Sequence, residues 1–226
     1  MSPQPKKKSD LGKDWMTRTR KSREMMAPPE HHLIVTEGIK TEPYYFSAMK
    51  DTINTKYPGR VVLQVEGLGE NTIALFERAK EIIRGVPYGF AHVWLVYDKD
   101  DFPAERFDQV DQLCHDACGC EGPEFHATWS NQCIEYWFLL HFCFMDADIT
   151  REKYCTKLSE FMIRVGLGPY DKTSNRIFIL LKSRLNVAIK NAEKIRSTYN
   201  ESSTPSEMAP CTMMYQMMEL FRHYLL

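Results

Sequence analysis

The sequence predicts an α/β fold, a mostly parallel sheet flanked by helices and followed by a C-terminal helical extension. Three observations lead there. Short apolar, β-branched runs alternate with stretches of helical period in the order β-α-β-α-β-α-β, the pattern of parallel strands joined by right-handed crossovers. The most apolar run, Ala91 to Tyr97, lacks a polar face, as a strand covered on both sides must. It stops in a cluster of charge, Asp98-Lys99-Asp100-Asp101, at the carboxyl end of a strand, where ligands collect in open parallel sheets.

Taken in order, residues 1–30 show no periodicity and end in Ala27-Pro28-Pro29-Glu30, which cannot continue a helix and reads as a linker. His32 to Thr36 is the first strand, and Gly38 permits the tight turn after it. Thr41 suits an N-cap and Pro43 the first turn of a helix reaching Tyr57, on which Tyr45, Phe46, Met49 and Ile53 share a face. Arg60 to Val65 is the second strand. Ile73, Leu75, Phe76, Ala79, Ile82 and Ile83 then mark a helix ending near Gly85. The intervening Gly67-Leu68-Gly69 lacks the third glycine of a dinucleotide fingerprint. After the third strand, Phe107, Val110, Leu113 and Cys114 space out a helix, and Glu124 to Trp129 is the fourth strand. Ser130-Asn131-Gln132 reads as the cap of a buried helix from Cys133 to Phe144, followed by helices over 151–165, 174–199 and 211–225. The chain thus divides into a basic arm (1–30), a sheet domain (31–145) and a helical extension (146–226) packed on the same core.

Charge is unevenly placed. Residues 1–24 carry eight Lys and Arg, among them Arg18, Arg20 and Arg23, against three acids, a net of +5; with −1 overall, the remainder carries −6. Such an arm is either a phosphate-contacting segment or a solvated tail. No apolar run follows the basic start as in a secretory signal, and Ile134 to Met145, broken by Glu135 and His141, is too short to span a bilayer. Cytoplasmic residence and no membrane partner are expected, and seven cysteines then fit reduced thiols. Cys114, Cys118 and Cys120, with His115 and His126, lack the paired C-x₂₋₄-C halves of a structural zinc site. His141 reads as a core histidine, Trp94, Trp129 and Trp137 as core, and Met213 to Met218 as the packed face of the last helix.

The acids carry the functional reading. Glu37 and the Asp98/Asp100 pair fall at the carboxyl ends of two strands, so neighbouring strands would bring them to one rim. Glu135 either complements its own helix dipole or faces that rim, if the fourth strand lies beside the third. Clustered carboxylates attract a divalent cation, and a further carboxylate can move a proton in phosphodiester chemistry. Lys40 and Lys172, in connectors, are surface lysines or phosphate contacts.

Glu37-Gly38 after the first strand and Asp98-Lys99-Asp100 after the third resemble the Toprim catalytic signature. Three strings, V-T-E-G-I-K-T-E-P-Y-Y-F (35–46), V-W-L-V-Y-D-K-D-D-F (93–102) and S-N-Q-C-I-E-Y-W-F-L-L-H-F (130–142), resemble the RloB-like family of Toprim proteins, bacterial proteins of restriction and phage-defence loci. The resemblance covers 32–142, extends weakly to Tyr170-Asp171-Lys172, and leaves Asp101 as an extra acid. It implies a Toprim-like catalytic domain over 31–145. The expected activity is that of a Mg²⁺- or Mn²⁺-dependent nuclease acting in defence on RNA, tRNA included, in preference to DNA. Glu37, Asp98 and Asp100 would be metal ligands, these three and Glu135 the catalytic set, and Lys40, Lys172, Arg18, Arg20 and Arg23 the phosphate contacts. Other defence-system proteins and an oligomer remain open as partners. Two competing classes are a non-catalytic metal- or nucleotide-sensing module that binds nucleic acid, and a flavodoxin-like receiver; the receiver requires neither Glu37-Gly38 nor the 130–135 string.

Overall fold

A computed structural model describes residues 28–69, 72–118 and 122–226. Residues 1–27 of the basic arm, with Arg18, Arg20 and Arg23, and also Cys120, lie outside the described residues, and the arm's last residue, Glu30, opens the first strand. The sheet has five strands in the order β2-β1-β3-β4-β5: β1 (Glu30–Thr36), β2 (Val61–Gly67), β3 (His92–Asp98), β4 (Glu124–Asn131) and β5 (Cys211–Thr212). The first four are parallel and β5 runs antiparallel on β4. From β1 the chain moves outward to β2 and then back across to β3, so the strand order reverses between β1 and β3. A crevice opens at the carboxyl ends of strands at such a point.

Strand alternation divides the core into two layers. On one face Leu33, Val35, Val93, Leu95 and Tyr97 meet α2 (Thr72–Gly85) and α3 (Ala104–Ala117) through Leu75, Phe76, Phe107 and Val110. On the other, Ile34, Trp94 and Val96 meet α1 (Thr41–Lys56) and α4 (Ile134–Leu140). The same layer receives α5 (Arg151–Arg164), α6 (Ile177–Leu181), α7 (Leu185–Arg196) and α8 (Met214–Leu225). Trp94, Trp129 and Trp137 are all buried, and Met214, Met217 and Met218 form the inner face of α8. His141 is buried with Nδ1 at 3.1 Å from the Trp137 carbonyl oxygen, and burial lowers its pKa to about 4, so it is a neutral core residue. No helix among the described residues is long and apolar enough to cross a membrane.

Several local expectations are corrected. Thr41 is the first residue inside α1 rather than its cap: Lys40 holds that position, and the Thr41 hydroxyl donates to the Lys172 carbonyl at 3.1 Å. Ser130 and Asn131 belong to β4, because their side chains are engaged elsewhere. The Ser130 hydroxyl pairs with Thr212 at 2.8 Å and the Asn131 amide donates to the Pro205 carbonyl at 3.3 Å. The helix expected to reach Phe144 ends at Leu140, whose carbonyl accepts the Asn191 amide at 2.8 Å. The single helix expected over 174–199 is three pieces, α6, a 3₁₀ turn at Lys182–Arg184 and α7. Leu181 and Leu185 are both fully buried on either side of that turn, which lets α6 pack on α1 while α7 packs on α4 and α8.

Candidate active site

Four elements, β1, α1, β3 and α4, deliver carboxylates to the crevice between β1 and β3. Glu37 follows β1 directly: its N–H continues the ladder to the Val96 carbonyl at 2.9 Å. Its Oε2 accepts the Asp98 backbone N–H at 3.3 Å, so the two acids are neighbours. A Cβ at the next position, Gly38, would meet the Glu42 carboxylate, which would have to shift to admit it. That contact identifies a further acid, Glu42, buried in the first turn of α1, where the helix dipole favours negative charge.

Asp98 closes β3 and is buried at 4% exposure. The turn after it is tied to the end of β4 by Lys99 N–H to Ser130 O at 2.9 Å and Asp100 N–H to Gln132 O at 3.0 Å. Asp100 takes a left-handed conformation, φ 39°, which turns the chain back across the sheet edge, and the Lys99 ammonium donates to the Phe102 carbonyl. Glu135, in the first turn of α4, is fully buried. Its Oε1 accepts the Tyr170 hydroxyl at 3.0 Å and lies 3.8 Å from Lys172 Nζ, whereas its Oε2 has no hydrogen-bond partner.

The residue that links these acids is Arg151, at the start of α5. Its guanidinium stands 2.9 Å from Asp98 Oδ2, 2.8 Å from Asp100 Oδ2 and 3.8 Å from Glu135 Oε2. Arg151 was not among the residues singled out from the sequence. It belongs to no recognisable string, and only the path of the chain after α4 brings it here. Glu42 and Tyr170 did leave a trace, the first in the T-E-P that opens α1 and the second in the Tyr170-Asp171-Lys172 connector.

Electrostatics follow from the crowding. Burial pushes the Glu37 carboxyl up to about 7, with Asp100 and Glu42 adding to the rise and the Asp98 N–H opposing it. Burial also raises Asp98 well above the ordinary range, reinforced by Glu42 and Glu135 and opposed by Arg151, and it raises Glu42 and Asp100. Burial works against charge on Arg151, but Asp98, Asp100 and Glu135 outweigh it and hold the guanidinium more firmly protonated than usual.

A cavity of about 400 Å³ opens over this rim, lined by Glu37, Gly38, Lys40, Glu42, Asp98, Asp100, Arg151 and Lys172 among others. A second, of about 640 Å³, is lined by Asp100, Asp101, Arg106, Gln132 and Arg151 among others, so the Asp100–Arg151 pair borders both. Lys40 and Lys172 therefore share one cavity with the acids, while exposed Asp101 faces the other.

The donor set was tested against a hard divalent cation. Every acid offers oxygen, and Glu135 Oε2 is a buried oxygen without a hydrogen-bond partner; both suit Mg²⁺ or Mn²⁺. One oxygen of each aspartate, Asp98 Oδ2 and Asp100 Oδ2, is however presently engaged by Arg151. Among the described residues, the close-set groups that could hold a metal ion as they stand are made of Glu and His at the opposite ends of the strands. Of the cysteines whose spacing lacks the halves of a zinc site, Cys114 is buried and Cys118 exposed, both as free thiols. His126 lies with the Glu and His groups instead.

Comparison with known proteins gives one result. No curated protein matches the chain, and no solved structure matches it. The profile of the RloB-like protein family matches residues 32–221, a span running from β1 into α8 that includes Glu37, Asp98, Asp100, Glu135, Arg151 and Lys172, and the chain belongs to that family.

Proposed function

We propose that the protein is a Toprim-type, Mg²⁺- or Mn²⁺-dependent nuclease that cleaves RNA, tRNA included, in preference to DNA, in bacterial anti-phage defence. The observation that carries this reading is the convergence of Glu37, Asp98, Asp100 and Glu135 on one rim whose cavity also holds Lys40, Arg151 and Lys172. Asp98, Asp100 and Glu37, with Glu135 beside them, would hold the cation. Bound there, it would neutralise charge developing on a phosphoryl oxygen. The chain's own residues do the rest. Glu37, a carboxylate once a cation stands beside it, takes a proton from the attacking oxygen. Lys40 and Lys172, both exposed at the cavity, bind phosphates as point charges. Arg151 neutralises the acids before the cation arrives and is then free to contact phosphate in its bidentate geometry.

A second reading, a non-catalytic metal- or nucleotide-sensing module that binds nucleic acid, draws on one observation: a protein cation already fills the space between Asp98 and Asp100. One experiment separates the two. Purified protein is incubated with total RNA and with plasmid DNA in Mg²⁺, Mn²⁺ or EDTA, beside Asp98→Asn and Glu37→Gln. The nuclease reading expects metal-dependent cutting of RNA, lost by at least about 10²-fold in each variant, with substrate binding retained. Binding without cutting under every divalent condition establishes the sensing module.

A further inference from the structure

Six residues back along β3 from Asp98, roughly 20 Å at about 3.3 Å per residue, a different set of side chains gathers at the amino ends of the strands. Glu30 and His32 on β1, His92 and Trp94 on β3, and Glu124 and His126 on β4 share one face of the sheet. The parallel register pairs His32 with His92, His92 with Glu124, and Trp94 with His126. Within this group His92 Nδ1 lies 2.9 Å from His126 Nε2 and 3.3 Å from Glu124 Oε2, and His126 Nε2 lies 3.8 Å from Glu124 Oε2.

We propose that His92 Nδ1, His126 Nε2 and Glu124 Oε2 form a binding site for a borderline transition-metal ion of the Zn²⁺ type. Ligands at about 2.0–2.2 Å from a tetrahedral ion sit about 3.3 Å from one another, and the three separations bracket that value. Two imidazole nitrogens select Zn²⁺ over Mg²⁺, which prefers all-oxygen shells. The proposal is therefore chemically distinct from the acid rim and does not depend on its reading as a nuclease centre.

Neighbouring contacts decide which nitrogens are available. His92 Nε2 stands 3.4 Å from Glu30 Oε1, so its proton belongs on Nε2, facing the carboxylate, and its Nδ1 lone pair is left for the metal. This is the carboxylate–histidine arrangement that orients metal-bound imidazoles. His32 belongs to the support and not to the ligand set. The Trp94 indole N–H, which can only donate, reaches His32 Nδ1 at 3.5 Å, so the neutral ring carries its proton on Nε2, 3.5 Å from Glu30 Oε1. Trp94 also stacks on His126 with centroids 3.9 Å apart and planes 15° from parallel, which holds that ring in place. In the ion-free protein the neutral His126 carries its proton on Nε2, donating across the 2.9 Å gap to the His92 Nδ1 lone pair, and an ion entering there takes the other tautomer, with the proton on Nδ1. Glu124 is 67% exposed, so the carboxylate ligand reaches the cluster from the solvent side.

The test uses the full chain, stripped with EDTA and titrated calorimetrically with Zn²⁺ against a background of excess Mg²⁺, which competes for any all-oxygen site. One Zn²⁺ per chain is expected. Glu30→Gln should weaken it by about 10–100-fold. Glu124→Gln and His126→Gln should weaken it by at least as much, and Asp98→Asn should leave it unchanged. Glu124 is exposed, so its substitution spares the fold, and circular dichroism verifies this for each variant. Co²⁺ in place of Zn²⁺ should give visible d–d absorption without a thiolate charge-transfer band. Wild-type affinity in folded Glu124→Gln and His126→Gln would show the cluster to be a hydrogen-bonded group and nothing more. Loss of binding in Asp98→Asn, or a thiolate band, would move the ion to the acid rim or to the cysteines. Each of those outcomes overturns the proposal.

Discussion

Removing the guanidinium of Arg151 should weaken the fold in a way that a divalent cation repairs. In Arg151→Met the side-chain bulk stays and the charge goes, leaving Asp98, Asp100 and Glu135 facing one another in a largely buried space. At an effective dielectric constant of about 20, each charge contact near 3 Å is worth about 5 kcal/mol gross, much of it offset by the desolvation already incurred. The net cost of deleting one member of such a buried group is about 3–5 kcal/mol. For a domain of this size that corresponds to a fall in Tm of roughly 6–20 °C at neutral pH. Mg²⁺ at about 100 times its Kd should return about 2.7 kcal/mol. Acid should help as well. The Glu37, Asp98 and Asp100 carboxyls have raised folded-state pKa values, so the protonated folded state is favoured. Stability from that source is complete below the ordinary carboxylate range and is lost as pH rises through the folded values. Thermal melts of wild type and variant, with and without Mg²⁺ across this range, supply the comparison. A variant melting within about 2 °C of wild type at neutral pH, or one that Mg²⁺ stabilises no more than wild type, would refute the idea that Arg151 stands in for a cation.

Three other expectations follow. Glu37→Gln should stabilise the protein relative to wild type above pH 7, and the difference should disappear as pH falls toward 4.5, because the wild-type group loses folded-state stability across that window; denaturant melts at several pH values would show the opposite trend if Glu37 were solvated. In cleavage assays at saturating Mg²⁺ the acid limb of the wild-type rate should lie below pH 7, because a cation beside Glu37 favours its charged form, and that limb should be absent from the residual rate of Glu37→Gln; its survival would move the proton transfer to another group. Deleting residues 1–24 should lower affinity for nucleic acid and reduce the salt slope by about 0.7 per lost contact on single strands, whereas an unchanged slope would make the arm an inert tail.

How far the sequence could be read depended on whether the deciding contacts are local. β3 was legible because one covered strand needs an unbroken apolar run, and Glu37, Asp98 and Asp100 were legible because strand ends place them without further information. Gly38 was marked for its turn, but the group a side chain there would displace is the Glu42 carboxylate, one helical turn onward. The breaks at Leu140 and Lys182 were invisible because they depend on Asn191 and on the directions in which α6 and α7 pack. β5, two residues long, has too little length for alternation to register. Arg151 was missed for the same reason on a larger scale: nothing near it in sequence distinguishes it from a surface arginine beginning a helix. His92 and His126 sit at separate strand starts, and only the register of β3 on β4 makes them neighbours.

Arg151, Tyr170 and Lys172 all come from beyond residue 145, while every acid they touch comes from before it. The two stretches also share one apolar layer, in which Tyr45 and Phe138 meet Phe178, Leu158 and Phe221. A chimaera joined near residue 145 from two relatives would therefore inherit acids from one parent and their counter-charges from the other. Such hybrids should be viable only where both halves of the charge pattern changed together, and recombination within the family should exchange the span from β1 through α8 as one piece.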